Sequence, residues 1–155
     1  MNNILQCNEA MYRYGRQESD NMFPRIHESL DQPDWKNKKI VIVEDVLSNF
    51  QLLAAYLART GAQVIHFEKG LPAYEWIKAG NKADVILMDL RLPDLNGIDV
   101  TRLIRQINDY VPIIAQTAFA MMGDRDKCLL AGCNDYIAKP IPRKEFLTLL
   151  SRHLN

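Results

Sequence analysis

Four short apolar runs, each closing on a polar residue of a different kind, constrain this chain more than anything else in it. Lys39-Ile40-Val41-Ile42-Val43 stops at Glu44-Asp45, and Asp84-Val85-Ile86-Leu87-Met88 stops at Asp89. Pro112-Ile113-Ile114-Ala115-Gln116 stops at Thr117, and Asp135-Tyr136-Ile137-Ala138 stops at Lys139-Pro140. Helix-length stretches separate the runs. Nearly continuous apolar strands alternating with helices predict a parallel sheet covered on both faces. Ligands of such sheets sit outside the carboxyl ends of the strands. Three carboxylates, a hydroxyl and an ammonium therefore converge on one edge, a set of groups suited to phosphoryl transfer.

From Lys38 onward the pattern is regular. A further strand is expected at Gln63-Val64-Ile65-His66-Phe67, and strand 5 at about 134–137. Helix 1 is expected from about Ser48 to Thr60, with Leu52, Leu53, Tyr56 and Leu57 as its apolar stripe and Gly61 as its stop. Further helices are expected from Pro72 to Gly80, Gly97 to Asn108, about 120–131 and about 143–153. The total is five strands and five helices, a (βα)5 α/β fold.

Residues 1–37 differ from the rest. They are rich in Asn, Gln and acidic residues, and read as a linker or a loosely docked leading helix. Met22, Ile26 and Leu30 follow i, i+4 spacing, Pro24 opens the turn and Pro33 prevents its continuation. The division is thus 1–37 leading segment and 38–155 folded domain.

At 155 residues the chain suffices for one well-buried domain. Its 19 basic and 19 acidic residues cancel, so no overall field draws nucleic acid to it. No stretch reaches the roughly 18 apolar residues of a membrane span, and the start lacks secretory features. Cys7, Cys128 and Cys133 have no metal-type spacing and suit a reducing cytoplasm as small apolar fillers. His27, His66 and His153 show no ligand or phosphotransfer spacing and read as ordinary surface or core residues.

If the strands bearing Glu44-Asp45 and Asp89 are neighbours, their three carboxylates are crowded together. Such crowding is costly unless a cation compensates, and oxygen donors of this type suit Mg²⁺. Taken singly, Glu44-Asp45 also reads as a helix N-terminal signal, and Asp89 as a turn residue before Pro93 and Gly97.

Ile-Val-Glu-Asp (42–45), Ile-Leu-Met-Asp-Leu-Arg-Leu-Pro-Asp-Leu-Asn-Gly (86–97), Pro-Ile-Ile-Ala-Gln-Thr-Ala (112–118) and Ala-Gly-Cys-Asn-Asp-Tyr-Ile-Ala-Lys-Pro-Ile (131–141) stand in the order known from one family. From Lys38 to His153 the chain resembles the receiver domain of two-component response regulators, most of all receivers attached to hybrid sensor histidine kinases. The resemblance implies a flavodoxin-like doubly wound sheet of order 2-1-3-4-5, an order the general rule for these folds already attaches to a receiver. It implies that Asp89 is the phosphoacceptor and that Glu44, Asp45, Asp89 and the backbone carbonyl of Arg91 hold Mg²⁺ or Mn²⁺. Lys139 would clamp the phosphoryl oxygens, aimed inward by a cis peptide before Pro140. Thr117 would be the switch hydroxyl, with small Ala118 permitting its movement. Tyr136 would fill the vacated space and pass the signal to the face of helix 4, strand 5 and helix 5. Arg91 and Phe119 fall where the family tunes phosphate lifetime, and a bulky Phe119 implies a lifetime of minutes or longer. Gln116 departs from the family, replacing the apolar residue usual before the threonine.

The function expected is a phosphorelay switch rather than an enzyme with turnover. Its donor would be a sensor histidine kinase or a histidine phosphotransfer protein, and its output protein contact rather than DNA. Trp35, in Pro33-Asp34-Trp35-Lys36-Asn37, sits where hybrid kinases join their receivers. An aspartyl-phosphate hydrolase would want an acid at position 91, where Arg91 stands. A nucleotide-binding domain would want a glycine-rich phosphate loop, and none is present. The alternative kept is a receiver-like interaction domain that works without phosphorylation. Met121, Met122, Cys128 and Arg125 mark a homodimer or partner surface, or in part a core-facing stripe.

Overall fold

The computed structural model describes residues 33–118 and 122–154. Cys7, Met22, Ile26, Leu30, His27, Phe119 and Met121 lie outside these residues, so the expectations attached to them go no further. The apolar runs form β1 (Lys39–Val43), β2 (Gln63–Phe67), β3 (Val85–Asp89), β4 (Ile113–Thr117) and β5 (Asp135–Ala138). Between and after them run α1 (Leu47–Leu57), α2 (Gly70–Lys78), α3 (Gly97–Arg105), α4 (Met122–Ala131) and α5 (Arg143–Leu154). All neighbouring strands pair parallel in the order β2-β1-β3-β4-β5. This is the flavodoxin-like doubly wound sheet expected from the sequence.

The two-residue period of the strands divides the core into two layers. Ile40, Ile42, Leu87, Ile114 and Ile137 pack with Leu53, Leu57, Phe146 and Leu150 from α1 and α5. The alternate residues Val41, Val43, Ile86, Met88, Ile113 and Ala115 pack with Ala73 and Ile77 of α2 and Val100 and Ile104 of α3. Each large side chain buried this way contributes about 1.5–3 kcal/mol. The first layer also takes in Trp35, only 2% exposed, whose backbone N–H donates to the Thr60 carbonyl at 2.7 Å. Packing therefore starts upstream of Lys38.

Several boundaries differ from the sequence reading. In α1 the buried residues are Phe50, Leu53 and Leu57, while Leu52 is 44% exposed and Tyr56 is half-buried. Positions 50, 53 and 57 share a helical face, and Leu52 lies about 100° around from Leu53. Phe50 is drawn inward by stacking on His66, with centroids 3.7 Å apart. Helix α1 ends before Thr60 because the Thr60 hydroxyl donates to the Leu57 carbonyl. Helix α3 stops at Arg105, not Asn108. The Asn108 side chain accepts N–H bonds from Tyr110 and Val111, building a turn in place of another helical turn. Helix α2 opens at Gly70, two residues before Pro72, because the Asp94 carboxylate binds the Gly70 and Leu71 N–H groups at 2.9 and 2.8 Å. Cys128 is 1% exposed and belongs to the core rather than to any α4 surface, and Cys133 is buried beside it. Strands β3, β4 and β5 each run one residue later than expected, which makes Asp89 and Thr117 strand residues with defined register.

Candidate functional site

Register decides which side chains meet at the carboxyl edge. Residues paired across adjacent strands point to the same face, and so do residues two apart on one strand. Asp89 pairs with Gln116, and Gln116 with Ile137. Glu44, Asp89, Gln116 and Lys139 each follow by two a residue of the α1–α5 layer: Ile42, Leu87, Ile114 and Ile137. The four thus share one face at the edge of the sheet.

Lys139 ties the row together. Its ammonium donates to Glu44 Oε2 and to Asp89 Oδ2, both at 2.6 Å. The Lys139-Pro140 peptide is cis. Burial alone would lower the lysine pKa, but hydrogen bonds to Asp89 and Glu44 outweigh it and hold the pKa above its ordinary value. Lys139 is therefore charged at neutral pH. Glu44 is fully buried, and its other oxygen accepts the Val46 N–H at 3.2 Å and the Asn49 amide at 3.0 Å. Its backbone carbonyl lies 2.8 Å from His66 Nε2. Asp89, 5% exposed, accepts the Arg91 N–H on Oδ1 at 2.9 Å. Asp45 is exposed on the rim.

Oxygens of Glu44, Asp45 and Asp89 all lie within 4.8 Å of one another. Three hard oxygen donors with net negative charge fit Mg²⁺ better than any softer ion. The turn after β3 is shaped for close approach: a Cβ added to Gly97 would lie 2.1 Å from the Asp89 carbonyl oxygen. Only glycine fits there without moving the backbone that carries Asp89.

Thr117 is 6% exposed at the end of β4, and its carbonyl accepts the Lys139 N–H at 2.7 Å. Tyr136 lies on the opposite face from Ile137, half-buried against the second core layer, with the Arg125 guanidinium 5.6 Å from its ring centre. The structure thus brings Glu44, Asp45, Asp89 and Lys139 into direct proximity and sets Thr117 on the adjoining strand end. Tyr136 stands apart from them, on the α4 side. Sequence reading missed Asn49 and His66 as supports of Glu44. A side-chain amide one helical turn past an acidic strand end is a signal for the first, and the second had none.

The response regulator receiver domain profile matches residues 40–151. The chain belongs to that family. Its receiver is 34% identical over 119 residues to the polar-differentiation response regulator DivK of Brucella anthropi, covering 76% of this chain and 96% of that protein. It is 42% identical to the receiver domain of the sensor histidine kinase PA1611 of Pseudomonas aeruginosa, solved with magnesium in its active-site cleft. That match has a TM-score of 0.70 and covers 76% of this chain and 97% of the other. A two-component response regulator from Clostridium difficile superposes with a TM-score of 0.71 at 25% identity, covering 76% of this chain and 95% of the other. The receiver is accordingly a two-component signalling module, a phosphoacceptor switch in general character. No helix among its described residues is long and apolar enough to cross a membrane.

Proposed function

We propose that this receiver takes a phosphoryl group from a phosphohistidine of a sensor histidine kinase or phosphotransfer protein onto Asp89. A carboxylate oxygen of Asp89 bonds to phosphorus as the N–P bond breaks, and the histidine nitrogen keeps the electron pair. The observation carrying this reading is the Lys139 ammonium on Asp89 Oδ2, beside three carboxylates within 4.8 Å. Glu44, Asp45, Asp89 and the Arg91 carbonyl are the groups that would hold Mg²⁺ (or Mn²⁺), whose charge offsets that building on the phosphoryl oxygens. The magnesium in the related Pseudomonas receiver supports that assignment. Asn49 and the Val46 N–H fix Glu44, the Arg91 N–H orients Asp89, and Lys139 neutralises the incoming phosphoryl oxygens. Thr117 then turns toward the phosphoryl group and Tyr136 follows, altering the face formed by α4, β5 and α5. Thr117 and Tyr136 belong to adjacent strands, which supports such coupling. The domain takes in the residues from Lys38 onward together with Trp35, which its core buries, and acts by protein contact.

Intact-mass spectrometry with Mg²⁺ and acetyl phosphate tests this. One metal-dependent phosphoryl adduct is expected, absent from Asp89→Asn. No adduct on the folded, unmodified chain would sink the reading in favour of a phosphorylation-independent interaction domain.

A further inference from the structure

Gln116 is fully buried, and neither its Oε1 nor its Nε2 meets a hydrogen-bond partner among the described residues. It is the third member of the polar row whose other members, Glu44 and Asp89, are both held by Lys139. Its place is unusual for an idle amide. β4 lies between β3 and β5, so the Lys139 side chain reaches Asp89 across two strand spacings, about 10 Å. Gln116 is the β4 residue paired with Asp89 and stands on the face that this side chain crosses. In strand order and on that face, Gln116 therefore stands between Lys139 and the carboxylate it holds.

Leaving both ends of a buried amide unpaired is unfavourable, and an apolar residue of the same size avoids it. The residue makes physical sense if its partner arrives in another state of the site. Phosphorylation converts the Asp89 carboxylate into an acyl phosphate, moving the negative charge outward onto the phosphoryl oxygens. The ammonium then loses its charged partner on Asp89 and follows the phosphoryl group. An ammonium has three N–H donors, and they must find new acceptors at this edge. We propose that Gln116 is a positioning residue for Lys139, its Oε1 accepting an ammonium N–H when Asp89 carries a phosphoryl group. This rests on Asp89 being the phosphoacceptor. It assigns to Gln116 a role in stabilising the phosphorylated state that an apolar residue at this position cannot supply.

The test uses the full chain with Mg²⁺ and beryllofluoride as a phosphoryl mimic, comparing the unmodified protein with Gln116→Leu and Gln116→Met. Without beryllofluoride both replacements should raise Tm, by about 4 °C, because an unpaired amide has gone. With it, the gain in Tm should shrink, and the affinity for beryllofluoride at saturating Mg²⁺ should fall about tenfold. A purely structural residue would move Tm equally with and without the mimic and leave that affinity unchanged, which would overturn the proposal. A lower Tm without beryllofluoride in both replacements would overturn it too, by showing the amide already satisfied. Two replacements keep the comparison available if one packs poorly. Beryllofluoride that fails to bind the unmodified chain would instead defeat the phosphoacceptor reading on which this depends.

Discussion

Lys139 is the residue on which the charge balance of the site turns. One ammonium, with its side chain 19% exposed, is shared between two carboxylates whose side chains are 0% and 8% exposed. Removing one member of a buried ionic group leaves its partners uncompensated, at a cost of about 3–5 kcal/mol. A cation seated among Glu44, Asp45 and Asp89 would draw on two of the carboxylates that Lys139 now holds. Lysine and cation therefore compete. Lys139→Met should lose about 3 kcal/mol in EDTA, regain much of it on adding Mg²⁺, and bind Mg²⁺ more tightly than the unmodified protein. Thermal unfolding in EDTA and in Mg²⁺, with a calorimetric Mg²⁺ titration, measures all three effects. Weaker Mg²⁺ binding by the variant would show that the lysine organises the carboxylates for the cation. The members of this site were legible because each closes a strand, where residue type and position together carry chemistry. Gln116 was legible only as a departure from family pattern. That its amide has no partner among the described residues depends on the full enclosure around it, which no local pattern encodes.

At the scale of elements, the loop after β3 does more than carry Asp89. Asp94 reaches back to cap α2, a helix whose own N-cap residue, Lys69, supplies no side-chain bond. Burial pushes Asp94 upward, but N–H donors of Leu71, Gly70 and Leu95 outweigh it and hold the carboxyl below the ordinary 3.8. The sign follows from the depressed value. The charged cap stabilises the fold above the unfolded pKa, and that contribution is lost as pH falls through the folded pKa. Asp94→Ala should therefore cost about 1 kcal/mol near neutrality, with the deficit closing below about pH 4. Urea midpoints across that range give the answer. A deficit unchanged in acid would mean that the aspartate acts through packing rather than charge. This link escaped the sequence because its partners are more than 20 residues apart, whereas cap signals are read within a few residues. The α1 stripe failed differently. Leu52 and Phe50 both suit a buried position, and the stacking of Phe50 on His66 of β2 selects between them. Strand order and strand ends, by contrast, follow from apolar runs covered on both faces, and those patterns are local.

At the scale of the whole molecule, the two core layers are not closed in the same way. The α2–α3–α4 layer is completed by residues lying between the first strand and the last helix. The α1–α5 layer reaches outside that span to Trp35. The indole is 2% exposed, and its backbone is pinned at both sides, with N–H to the Thr60 carbonyl and carbonyl to the Lys38 N–H. Those bonds fix Trp35 to the end of the α1 segment and to the start of β1. This layer also backs Glu44, Asp89, Gln116 and Lys139, so a loss of packing within it acts on the same layer that carries the site. Trp35→Ala leaves a cavity the size of an indole and should cost about 3–5 kcal/mol. A chain beginning at residue 38 should lose a similar amount. Urea unfolding of Trp35→Ala, the shorter chain and the full protein, compared by midpoint at constant slope, separates the cases. A loss below about 1 kcal/mol on removing Trp35 would return the start of the domain to Lys38. A large loss for both Trp35→Ala and the shorter chain would make the tryptophan part of the receiver's own core, whatever precedes it.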